Sequence, residues 1–336
     1  MSNKIYKISI SLNVQKEFKL SFLKEIINTI KEFRVKNPEV ELFIFRNIEN
    51  GPKINVYIYG KRDVSYTLYC EVESLFQKFL KENKLKFREN SIYSTSMEEL
   101  KTMNNLLTYS NYENLTLSFE CIDNIERNGE YHSDEEKEFV NKWLLENGTL
   151  IEDTINFVIE EEPYKKILFA VLLFKIISSK LDRKSLRGYL SFKSHYEGFI
   201  NYKEYEMKGY AEKFKKYYDV YHQQLYSNFY TFDKMKDEHM RRLLMTWANR
   251  IDKAVVDIKV LPRRKLEVDH MESFVEMSEF HKNIFSQENI HYYVSDEFQN
   301  YRILINLIYL LLPTLGINTI ERLLGSYILI RLIEEG

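Results

Sequence analysis

The sequence predicts an α+β protein. A sheet-containing part over residues 1–95 precedes a larger, mainly helical part of the same domain over residues 96–336. Three observations predict this. Apolar and polar residues alternate from Ile5 to Leu12 and again through FIFRNIENGPKINVYIYG, residues 43–60, which is the period of strands. Apolar residues recur at helical spacing in Leu23, Ile26, Ile27, Ile30 and Phe33, and in Leu68, Val72, Leu75, Phe76 and Phe79. From Glu99 onward the helical pattern dominates.

Taken in order, the first strand puts Ile8, Ile10 and Leu12 on one face. The helix after it stops near Asn37-Pro38, because proline disfavours helical backbone in the residue before it. The turn Glu49-Asn50-Gly51-Pro52 then closes a hairpin with residues that tolerate or fix unusual φ. In its second strand Ile54, Val56 and Ile58 point one way; Lys53, Asn55, Tyr57 and Tyr59 point the other and are expected to face solvent. With the second helix this makes a β-α-β-β-α unit, close to a ferredoxin-like one. A polar segment, Asn124 to Ser133, precedes helices expected over 134–147, 150–160, 164–180, 203–225 and 233–253. Pro262 with Arg263, Arg264 and Lys265 marks a turn, and the chain is helical again from Glu267. No internal repeat or long linker interrupts it.

The composition narrows the function classes. A net charge of −2 gives no general attraction to nucleic acid or an anionic membrane. Cys70 and Cys121 form no CxxC and are expected to be buried thiols in a reducing cytoplasm. The N-terminus MSNKIYKISISLNVQKEF alternates like a strand and has no continuous apolar core, so no signal peptide is expected. The apolar runs Ile167–Ile177 and Ile303–Leu312 fall short of the roughly 18–20 residues that cross a bilayer, and are expected to be core helices. The ten glycines never cluster as a dinucleotide or phosphate loop requires. The seven histidines form no HExxH, and there is no GxSxG elbow. No metal or cofactor is expected. The 25 tyrosines and 22 phenylalanines suit a cleft for an extended peptide or heteroaromatic rings, although low-GC codon usage produces the same bias.

Four stretches carry a resemblance. The hairpin FIFRNIENGPKINVYIYG, the segment NIERNGEYHS (124–133), the stretch SFKSHYEGFI (191–200) and the ending SDEFQNYRILINLIYLLLPTLGINTIERLLGSYIL resemble the lantibiotic dehydratase C-terminal, or thiopeptide-type bacteriocin biosynthesis, domain family. One branch of that family eliminates glutamate from glutamylated Ser or Thr, using hairpin arginines and a late histidine. Here Asn55 and Tyr57 stand at the arginine positions and Glu276 at that of the histidine, with His281 out of register. The thiopeptide pyridine synthase branch lacks those residues. It joins two dehydroalanines of one peptide by a formal [4+2] cycloaddition, losing water and the leader peptide as its amide. The resemblance therefore implies a pyridine synthase acting on a modified, leader-bearing precursor peptide, alongside other enzymes of its cluster.

For such chemistry the helix SHYEGF offers Tyr196 as acid/base or tautomer-stabilising phenol. His195 would be a second proton carrier, Ser194 an amide anchor and Glu197 a fourth polar group at i,i+3 from Ser194. Lys53, Asn55 and Tyr57, with Arg46 and Arg127, are the expected substrate-binding residues. Each also has a structural reading, such as a cap at Ser194 or a pairing of Glu197 with an arginine. A glutamate-eliminating lyase and a non-catalytic precursor-binding subunit remain alternatives.

Overall fold

A computed structural model describes residues 3–12, 16–47, 53–83, 115–123, 125, 133–181, 186–202, 204–262, 280, 283 and 290–336. The chain divides into two units, Met1–Gly129 with Asn141–Ile159, and Glu130–Val140 with Glu160–Gly336.

The first unit contains β1 (Lys4–Leu12), α1 (Lys16–Lys36), β2 (Glu41–Asn47), β3 (Lys53–Gly60), α2 (Arg62–Asn83) and β4 (Leu115–Ile122). It also takes in the end of α3 (Asp134–Glu146) and nearly all of α4 (Gly148–Glu160). The strands form one antiparallel sheet in the order β2-β3-β1-β4. β4 is a strand within the stretch after Glu99 that was expected to be mainly helical. Its sequence LTLSFECI alternates apolar and polar residues from Leu115 to Cys121, so the strand period is present there, although both faces of the strand are partly exposed.

On one sheet face Ile8, Ile10, Ile54, Val56 and Ile58 are fully buried. Helix α2 covers this face, with Tyr66 and Tyr69 set 5.6 and 5.4 Å from Phe119. Phe22 of α1 meets Phe79 of α2 at 4.7 Å. The opposite face, expected in solvent, is buried as well: Asn55 is 3% exposed and Tyr57 0%. Its polar groups satisfy one another across the strands, which removes the main cost of taking them from water. Ser9 Oγ donates to Asn55 Oδ1 at 2.8 Å, Lys7 Nζ pairs with Glu120 at 2.9 Å, and Tyr57 stacks on Phe43 at 5.1 Å. Tyr59, near the strand end, remains exposed.

Helix α4 is tied to this layer by a buried charge pair. Glu152, fully buried, accepts from both terminal nitrogens of Arg34 at 2.7 and 2.6 Å, and Arg34 also donates to the Leu42 carbonyl. Beside it, a Cβ at Gly148 would overlap the Leu42 carbonyl oxygen, so the first residue of α4 must be glycine for the helix to reach β2. Cys70 and Cys121 are exposed, against expectation; Cys121 is in register with Tyr6, on the helix-covered face, but in the edge strand β4.

The second unit is helical. It comprises α5 (Pro163–Ser178), α6 (Tyr189–Tyr202), α7 (Glu204–Tyr230), a 3-10 turn (Phe232–Lys234), α8 (Glu238–Ile258), a single turn at Ile290–Tyr293, α9 (Asp296–Leu311) and α10 (Thr319–Glu335). Helix α5 is its core: Ile167 through Phe174 are all buried, and α6, α8 and α10 pack around it. Among the described residues no helix is long and apolar enough to cross a membrane. The later helices start on side-chain caps. Asp237 accepts from Met240 N, Ser295 from Phe298 N, and Asn318 with Glu321 forms a capping box. The Asp237 cap moves the expected 233–253 helix to Glu238–Ile258, and the expected 203–225 helix runs on to Tyr230.

Candidate active site

The helix expected from SHYEGF is α6, and its first turn is anchored locally. Leu186 has positive φ, and Tyr301 of α9 donates to the Gly188 carbonyl at 2.8 Å. Phe192, fully buried, stacks on Phe174 of α5 at 4.5 Å and fixes the rotation of α6. That rotation distributes the candidate residues over different sides, since successive helical residues diverge by about 100°.

Tyr196 turns toward α7 and α10, its ring 6.5 Å from Phe214 and 5.5 Å from Tyr327. Burial among these rings, then the Tyr327 and Glu197 charges, pushes its phenol up to about 12. At neutral pH it is a proton-bearing hydrogen-bond donor. His195 is exposed and turns toward α9, where its ring meets the edge of Tyr309 at 4.7 Å. Its Nδ1 lies 2.9 Å from the Ser191 carbonyl, which can only accept, so Nδ1 carries the proton and a neutral ring presents Nε2 as a base. Tyr196 and His195 therefore pack against different helices.

Ser194 and Glu197 are half-buried. Glu197 contributes to the field around Lys193, whose ammonium pairs with Glu334 at 2.5 Å, close to the Tyr189 hydroxyl. Burial works against the charge on Lys193, but the Glu334 carboxylate outweighs it and raises the pKa. Lys193, Tyr309 and Tyr327 were not singled out from the sequence. Lys193 lies inside SFKSHYEGF, one turn before Glu197, and its spacing was the available signal. The two tyrosines carry none beyond their aromatic character.

In the sheet unit Lys53, Asn55 and Tyr57 share the buried polar face, and Asn55 is held by Ser9. Arg46 does not join them. It is paired in register with Ile54, which places it on the helix-covered face. There it lies near Lys19 of α1, whose ammonium is lowered to about 7, first by burial and then by the Arg46 charge. Arg127, Glu276 and His281 lie outside the described residues. Among the described residues, no group of His, Cys, Asp and Glu could hold a metal ion.

No protein-family model and no curated protein matches this sequence. Solved structures do. The crystal structure of TsrL aligns with a TM-score of 0.64 at 15% identity, covering 99% of this chain and 95% of that one. The pyridine synthase TbtD, from thiomuracin biosynthesis, aligns with a TM-score of 0.64 at 14% identity, covering 99% of this chain and 98% of that one. At such identities the likeness is one of fold. Along nearly its whole length, this chain has the fold of the pyridine synthase TbtD.

Proposed function

We propose that this protein is a pyridine synthase of thiopeptide biosynthesis. It would join two dehydroalanines of a leader-bearing, thiazole-containing peptide in a formal [4+2] cycloaddition. The observation that carries the reading is the shared fold with a pyridine synthase over 99% of the chain. The residues support it: Asn55 and Tyr57 replace the arginines with which the eliminating branch receives a departing carboxylate. The order β1-α1-β2-β3-α2-β4, with strand order β2-β3-β1-β4, supports reading the sheet unit as ferredoxin-like.

The reaction needs one amide in its imidic-acid form, so that C=C–N=C(OH) serves as the four-atom component and the second dehydroalanine as the two-atom one. Two carbon–carbon bonds close a six-membered ring. Loss of water and then of the leader amide makes it a pyridine. Most of the barrier is the entropy of bringing distant residues together, which binding supplies. In this proposal the Tyr196 phenol, protonated at neutral pH, donates to the amide oxygen and favours the imidic acid. His195 Nε2 accepts a proton as water or the leader amide departs, while Ser194 and Glu197 orient the peptide. Lys53 and Arg127 complete substrate binding. Asn55 and Tyr57, being buried, shape the hairpin face from within. No cofactor enters these steps, and the reading places the enzyme in the cytoplasm.

The test is to incubate the protein with a leader-bearing peptide containing two dehydroalanines and to follow it by mass spectrometry. A macrocycle lacking water and leader is expected. Glutamate release from a glutamylated serine peptide, with no ring formed from the first substrate, would make the protein an eliminating lyase instead.

A further inference from the structure

A groove of about 450 Å³ lies in the helical unit between the start of α5, the end of α7, the 3-10 turn and the start of α8. It contains none of the α6 residues discussed above. Its floor is apolar and includes Leu168, Met235 and Met240, all buried. Unbranched methionines adapt to differently shaped side chains.

One wall is a polar stripe of α7. Gln223, Gln224, Ser227, Asn228 and Thr231 recur at i,i+3 and i,i+4, so they line one helix face. Asn228 and Thr231 bond back to the carbonyls of Gln224 and Ser227. The side chains of Gln223, Gln224 and Ser227 make no hydrogen bond among the described residues. Primary amides both donate and accept, which matches the alternating N–H and C=O groups of a peptide backbone.

The lining is cationic. Lys165, Lys234 and Lys236 face one carboxylate, Asp237. That carboxylate is already engaged: it caps α8 through Met240 N at 3.0 Å and pairs with Lys165 at 3.1 Å, and Lys165 also holds Glu161. Lys234 and Lys236 are exposed and make no ion pair among the described residues. Of the neighbouring acids, Asp233 acts on the half-buried Lys175 of α5.

We infer that this groove binds an acidic peptide segment, its backbone along the amides of α7, an apolar side chain on the methionine floor and its carboxylates at Lys234 and Lys236. On the function proposed above, on which this identification of the ligand rests, the segment belongs to the precursor peptide outside its reacting dehydroalanines. Contacts remote from the reacting atoms supply binding that a truncated substrate lacks.

The experiment uses the full chain and a fluorescein-labelled peptide of alternating Glu and Leu, with Gln replacing Glu in a control peptide. Fluorescence anisotropy should show the Glu peptide binding roughly tenfold or more tightly than the control, with an affinity that falls as salt rises. The double charge reversal Lys234→Glu with Lys236→Glu should weaken it by about tenfold or more. Both lysines are exposed, so the fold and the unfolding midpoint should be unchanged. Gln224→Ala with Ser227→Ala should weaken both peptides alike. Equal affinity for the Glu and Gln peptides, or wild-type affinity in the charge-reversed protein, overturns the inference. Cyclisation of a bis-dehydroalanine peptide, with and without an acidic segment, is measured in parallel. Charge reversal should raise KM for the first substrate alone and leave kcat unchanged. Wild-type protein that binds the Glu peptide through these lysines yet forms no ring leaves the groove standing and removes the proposed function. Ring formation with no response to charge reversal in either assay does the opposite.

Discussion

The polar face of the sheet and the polar residues of α6 both include tyrosine, serine and charged or amide side chains, yet they meet water differently. In the sheet, Asn55, Ser9, Tyr57 and Lys7 are buried and engaged with partners on neighbouring strands. On α6, Tyr196, Ser194 and Glu197 are half-buried and His195 is exposed. A buried polar network gives rigidity, because each group left unpaired there costs free energy. Half-exposed groups retain freedom to exchange protons with a ligand. The first region is suited to holding a shape and the second to chemistry.

The strongest way to break this contrast is Tyr57→Ala. Removing a fully buried aromatic ring stacked on Phe43 should cost about 3–5 kcal/mol of stability, read from chemical unfolding. A loss of under about 1 kcal/mol would mean that the face is loosely packed and open to ligand. Asn55→Ala sharpens the point at smaller scale. It strands the Ser9 hydroxyl and should cost about 1–3 kcal/mol.

On the other side of the comparison, Tyr196→Phe should leave unfolding unchanged and slow cyclisation by roughly tenfold, about 1.4 kcal/mol of barrier. The pH dependence has a definite sign. With its phenol raised to about 12, Tyr196 stays protonated below pH 10, so its contribution to the rate should be flat there and vanish as pH rises through 12. A Tyr196-dependent fall in rate between pH 7 and 9 would contradict the burial that raises it.

Period-two alternation and helical spacing made most of these elements legible: β1, the hairpin strands, α1, α2 and the core helix α5 all appear where the pattern places them. What alternation cannot report is the environment of the second sheet face. Asn55 and Tyr57 read as solvated because they are polar, and only the strand register reveals that Ser9 and Phe43 stand opposite them. The same period, applied to Arg46, would have put it on the other face from Asn55. Within α6, SHYEGF showed four candidate groups but not their separation, because the helix rotation is set by Phe192 packing on Phe174, a contact between segments distant in sequence. Tyr327 and Phe214 reach Tyr196 through tertiary packing alone. The edge strand β4 was legible too: LTLSFECI alternates at period two, a short signal overshadowed by the helical spacing that dominates after Glu99.

Gly148 has a consequence for how this sequence can vary. The start of α4 lies against the Leu42 carbonyl so closely that a methyl group has no place, and four residues later Glu152 receives Arg34. Ordinary surface glycines drift freely among alanine, serine and asparagine, but here such drift would lift the helix from β2 and draw the buried carboxylate away from its only strong counter-charge among the described residues. In a population of diverging copies, position 148 and the pair at 34 and 152 are therefore expected to change together, which an alignment of such copies would check. Loss of the glycine would relax selection on the charge pair, and Arg34 and Glu152 would then disappear together, replaced by apolar side chains.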